Sequence, residues 1–161
     1  MYEVSKALNR PEPSLLRGHI KDHAGAMAKI EERIGLCNRT KRSNCIGTAL
    51  YIAGEIDYDE VVHPTDTYKS HLKKLELAQA FFLGCLVAWQ KDLLLPDYGR
   101  VIFVAHMGIV TSLNPFLITN RVKANGRFVV DEPAERIFTE YVRWDVNLYI
   151  PQILAKANVV L

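Results

Sequence analysis

The chain has 161 residues, 49% of them hydrophobic and 24% charged, a balance that excludes intrinsic disorder and leaves one domain enough chain for a full core. Twenty Lys and Arg against 18 Asp and Glu leave a formal charge of +2, so neither nucleic acid nor an anionic membrane is expected as the main partner. Three cysteines are too few for a secreted disulfide framework, and their odd number leaves at least one thiol unpaired.

In chain order, residues 1–13 are polar, carry Pro11 and Pro13, and read as a lead-in; residues 14–161 read as a single domain. The start has no basic segment followed by a long apolar run, so a cytoplasmic protein without a secretory leader is expected. From Ser14 to about Gly35 the apolar positions Leu16, Ile20, Met27, Ile30 and Ile34 recur at helical spacing. Asn38–Asn44 is a loop by composition. Cys45–Gly54 predicts a second helix, with Ile46, Ala49, Leu50 and Ala53 on one face, Ser43 or Asn44 as its cap and Gly54 at its end. Glu55–Asp66 is a connection. Thr67 to about Leu94 predicts a long helix, charged early and apolar on nearly all sides later. Its most apolar window, Ala78–Trp89, is too short for a membrane span, which takes ~20 apolar residues.

Arg100–Thr111 is apolar on both alternating faces, as in a central strand. Ser112–Pro115 is a turn and Phe116–Val122 a second strand. Asn125-Gly126 signals a two-residue hairpin with Arg127–Asp131 as the return strand. Pro133–Tyr141 predicts a short helix, and the alternation of Trp144, Val146, Leu148 and Ile150 predicts a last strand. Helices precede an antiparallel sheet, so the expected class is α+β.

Cys45 is the residue that points to chemistry. A cysteine opening a helix meets free backbone N–H groups at the positive end of the helix dipole, which favours thiolate. Lys41 and Arg42 would add positive potential. His106, placed on one strand face with Ile102, Val104 and Val110, needs a polar partner if buried, because an unpaired polar group costs ~1–3 kcal/mol. A general base facing Cys45 would meet that need, and so would a core histidine bonded to a carbonyl. A third group should orient the base. An odd turn places Asn120 opposite His106, whereas an even one places Arg121 there. The Asn-Gly hairpin would pair Asn120 with Asp131 and Val122 with Val129, so either Asn120 or Asp131 can be the orienting group.

These residues resemble the NlpC-type branch of the papain-like cysteine peptidases and amidases. There a cysteine opens a helix, commonly as Asp-Cys-Ser-Gly; this chain has Asn44-Cys45-Ile46-Gly47-Thr48-Ala49. The family's His-Val-Gly-Ile-Tyr strand corresponds to His106-Met107-Gly108-Ile109-Val110, and its third polar residue falls at Thr119-Asn120-Arg121. The order is that of the unpermuted members, not of the lecithin:retinol acyltransferase type. The resemblance spans roughly residues 40–131. It implies a papain-like fold with Cys45, His106 and Asn120 as the catalytic set. It also implies a peptide or amide substrate, often a cell-wall peptide stem, and no cofactor. The helix-start cysteine followed by a strand histidine also looks like transglutaminase-like proteins, in which Asp131 would be the third member. A third possibility is a non-enzymatic binding module that retains the fold.

Among the remaining residues, His19 and His23 are spaced i, i+4, and with Cys37 they fall short of a zinc ligand set. His63 and His71 read as surface residues, Cys85 as core, and Trp89 and Trp144 as packing.

Overall fold

The computed structural model describes residues 23–37, 42–122 and 126–159. Helix α1 spans His23–Cys37 and α2 Cys45–Ile52; a π-helical turn follows at Tyr68–Leu72. Then come strands β1 (Glu76–Leu77), β2 (Leu86–Leu95), β3 (Gly99–Leu113), β4 (Phe116–Arg121) and β5 (Phe128–Pro133). Helix α3 (Ala134–Glu140), strand β6 (Asp145–Ile150) and helix α4 (Gln152–Val159) complete the order. The strands form one antiparallel sheet in the order β1-β6-β2-β3-β4-β5, so the class is α+β. Among the described residues no helix is long and apolar enough to cross a membrane.

The long helix expected over Thr67–Leu94 is absent. One π-helical turn stands at its start, and Leu86–Leu95 forms β2 at the centre of the sheet. The reason is burial on both sides. Leu86 and Ala88 join the core under α2, whereas Val87 and Trp89 join the core on the opposite face. A strand covered on both faces reads as a continuous apolar run, which periodicity cannot separate from a buried helix.

The two cores divide the helices between the sheet faces. Ile46, Ala49 and Leu50 of α2 pack with Met107 and Ile109 on one face. Ile137 and Phe138 of α3 pack with Trp89, Val110 and Ile118 on the other. Helix α1 runs past Gly35 to Cys37, and α2 ends where Gly54 takes a positive φ of 80°. The turn after β3 is tighter than expected, with Leu113 already paired to Phe116. Residues 1–22 and Asn125 lie outside the described residues, so the lead-in, the first part of the predicted first helix, His19 and half of the Asn-Gly signal do too.

Three bulges decide which side chains share a face, and one of them is Thr111, an extra residue in β3 between the Val110–Ile118 and Ser112–Leu117 pairs. Trp89 pairs with His106 but Gln90 pairs with Val104, so Ala105 is an extra residue in β3. Val104 therefore packs under α2 while Val110 lies on the other face. His106 goes with Val110, touching the Trp89 and Tyr141 rings, and not with Val104 as simple alternation implied. A further bulge lies in β5. Ile118 pairs with Glu132 and Asn120 with Val129, and Asp131 between them has a φ of 57°. Asn120 is thus not opposite Asp131, nor is Val122 paired with Val129 as expected: the extra residue turns Asp131 outward and brings Glu132 to the Asn120 face.

Candidate functional site

Cys45 opens α2, and Asn44 fixes that opening. The Asn44 Oδ1 accepts from the Gly47 N–H at 2.8 Å and the Val62 N–H at 3.2 Å, while its Nδ2 donates to the Val62 carbonyl at 2.8 Å. Gly47 permits this close docking, since a Cβ there would fall 1.6 Å from the Glu60 carbonyl oxygen. The cap satisfies one of the orphan N–H groups of the helix start and ties the first turn to the 59–62 segment.

The thiol then reaches the edge of β3. Pairing of β3 with β4 runs from Leu113–Phe116 to Ile109–Thr119. The Val110 amide and carbonyl bond to Cys85 and Gly84 on the β2 side, so the Met107 N–H points to the opposite edge. There the Cys45 Sγ–H donates to the Ala105 carbonyl at 3.9 Å, and the N–H groups of Met107, Ile46 and Cys45 itself point at the sulfur. The carbonyl of Pro64 takes the Val104 N–H on the same strand at 3.1 Å. The half-buried sulfur thus docks against backbone next to the Ala105 bulge.

His106 is 1% exposed. Its ring stacks on Tyr141 with centroids 4.6 Å apart and planes 9° apart, and it touches the Trp89 ring at 5.3 Å. Its Nε2 lies 2.9 Å from Asn120 Oδ1. Gly108 keeps this approach open: a Cβ there would stand 2.6 Å from Ile118 Cγ2 and 3.4 Å from Asn120 Cβ. Asn120 meets His106 by a diagonal contact, not by either of the two direct registers considered from the sequence. The Asn120 Nδ2 donates to Glu132 Oε1 at 3.0 Å, and Glu132 accepts from Arg136 Nε at 2.5 Å. The Nδ1 of His106 has no hydrogen-bond partner among the described residues, and no hydrogen bond joins it to the Cys45 sulfur.

The electrostatics run against a resting ion pair. Burial raises the Cys45 thiol above its ordinary value, and the three backbone N–H groups offset only part of that rise. The depressed thiol expected from the helix start is therefore not what this environment produces. Burial lowers His106 to about 4, opposed by the Asn120 bond and the Glu132 charge and assisted by Arg136. Both groups rest neutral at pH 7. Burial and Asp59 push Cys37 up to about 12, and burial pushes Cys85 up. All three thiols are free, and Cys45 alone is not fully buried.

Asp131 is exposed and accepts from Thr111 Oγ1 at 2.7 Å; its carboxylate does not bond His106. Arg121 lies on the α2 face in a buried ion pair with Asp59 at 3.2 Å. Lys41, His19 and the His23 side chain lie outside the described residues, and Arg42 is exposed. Sequence reasoning missed Glu132, Arg136, Tyr141 and the Met107 N–H. The i, i+4 spacing of Glu132 and Arg136 across a helix start was the one available signal. No family model matches the chain, and neither a curated protein nor a solved structure matches it.

Proposed function

We propose that this chain is a thiol hydrolase of the NlpC-type papain-like kind, cleaving a peptide or amide bond through an acyl-enzyme on Cys45. The observation that carries the reading is the pairing of His106 Nε2 with Asn120 while its Nδ1 is left buried without a partner among the described residues. A buried ring nitrogen left open is costly in a purely structural histidine and useful in a base.

In this reading the Cys45 sulfur attacks the carbonyl carbon as its proton moves to His106 Nδ1. A C–S bond forms, and the carbonyl π electrons pass to the oxygen. The N–H of Cys45 at the helix start helps hold that oxyanion. Collapse breaks the C–N bond, and His106 returns its proton to the leaving nitrogen. Water, deprotonated by the same Nδ1, then cleaves the thioester to a carboxylate and the free thiol. Because both partners rest neutral, proton transfer accompanies attack instead of preceding it.

A peptide-based electrophile that alkylates active-site thiols tests the reading. Intact-mass and peptide mapping should find one adduct, on Cys45, that His106→Ala suppresses by on the order of 100-fold. Labelling that is indifferent to His106, or that falls on another cysteine, removes the enzyme reading and leaves a binding module.

A further inference from the structure

We infer that Glu132 is a positioning residue that sets the tautomer of His106 through the side chain of Asn120. The inference rests on reading His106 as the base, and it follows from the donor and acceptor inventory of three side chains. An ionised carboxylate only accepts. Glu132 is buried, with Arg136 beside it as a cationic partner bonded through both Nε and Nη2. The Asn120 atom 3.0 Å from Glu132 must therefore be the amide nitrogen, whichever way an unconstrained amide would turn. That leaves Asn120 Oδ1, an acceptor, 2.9 Å from His106 Nε2. The neutral ring must then carry its proton on Nε2, and the lone pair stands on Nδ1.

The surroundings give the ring no second way to satisfy the amide. Tyr141 covers one face in a near-parallel stack, and Trp89 adjoins it, so a half-turn of the ring has to displace both. Without Glu132, Asn120 is free to turn its NH2 to His106. The ring would then accept at Nε2, and its proton would sit on Nδ1, the atom that has to receive the thiol proton. Glu132 thus acts two side chains away, and its place opposite Ile118 depends on the bulge at Asp131.

Nitrogen-15 spectra of the imidazole groups in the full chain at pH 7, without substrate, test this. The wild-type protein should show His106 as a single form with the proton on Nε2. Glu132→Gln replaces an acceptor-only group by one that also donates, and should convert that single form to a mixture containing Nδ1–H. A wild-type proton on Nδ1 overturns the inference and needs no variant to be seen, and a Glu132→Gln spectrum that keeps the single Nε2–H form also overturns it. The readout requires no reaction, so an inert Cys45 would remove the hydrolase reading while the tautomer result stands on its own.

Discussion

Two neighbouring residues of β4 anchor two polar networks on opposite faces of the sheet. Arg121 faces α2. Its Nε donates to Thr48 Oγ1 at 2.8 Å, its Nη1 to the Gly126 carbonyl at 2.9 Å, and its Nη2 to Asp59 Oδ2 at 3.2 Å, with the guanidinium 5.6 Å from the Phe128 ring centre. Thr48 in turn donates to Asp59 Oδ1 at 2.8 Å. Asn120 faces the other way, into the Arg136–Glu132–Asn120–His106 chain. Among the described residues no buried side-chain atom of the first network lacks a partner, and the network binds the Cys45 helix to the sheet. The second ends on an atom left open. A closed buried network has nothing left to offer a substrate, whereas an open one is a cost to folding that chemistry can recover.

Loss of the thiol should separate chemistry from stability most strongly. Cys45→Ala should abolish hydrolysis, a loss on the order of 10³-fold or more, while leaving the thermal midpoint close to that of the wild type, because neither network contains the thiol. Rate and unfolding measured on the same preparation check it. Next comes stability. Asp59→Ala strands the buried Arg121 charge and should cost about 3–5 kcal/mol in urea unfolding. Asn120→Ala should cost less, about 1–3 kcal/mol, yet lower the hydrolytic rate about 10–100-fold. Asp131→Asn, at an exposed site, should change both by little; a larger rate loss there than in Asn120→Ala would return the third role to Asp131.

Acid should also separate the two faces. His106 is held at about 4, below the ordinary 6.5 of the unfolded chain, so between those values the unfolded state binds more protons and stability rises with pH. The stabilisation is present above about 6.5 and is lost as pH falls towards 4, on the order of 3 kcal/mol in all. Wild type minus His106→Gln, measured from pH 7 to pH 4, should isolate that slope, and an unchanged slope would place His106 in contact with water. Thiol labelling should separate the three cysteines. Cys45 should react with iodoacetamide faster than Cys37 and Cys85, because it is less buried, and its rate should climb into the alkaline range with its raised pKa. His106→Ala should slow it about tenfold at pH 7. Equal rates with and without the imidazole would mean the two groups are uncoupled.

Much of this layout was legible in the residues. Asn44 before Cys45 and Gly54 after the helix are local capping chemistry, and the alternation through β6 and the apolar run of β3 are local patterns. The diagonal contact of His106 with Asn120 was within reach because both lie on adjacent strands. Its register was not, because the extra residue Thr111 in β3 opposite β4, like the Ala105 and Asp131 bulges, is set by long-range pairing that leaves no periodic trace. The strand nature of Leu86–Leu95 was hidden for a related reason: burial by two separate layers erases alternation.

By itself, then, the amino-acid sequence determined the α+β class, the helix start that presents Cys45 and the strands that carry His106 and Asn120, since propensity, capping and turn chemistry act within a few residues. Tertiary structure alone decided that Glu132 and not Asp131 stands beside Asn120, that Arg121 faces away from His106, and that the thiol and the imidazole rest neutral. Each depends on which face a side chain takes and how much water surrounds it, and one extra residue in a strand reverses the first while packing of distant segments sets the second.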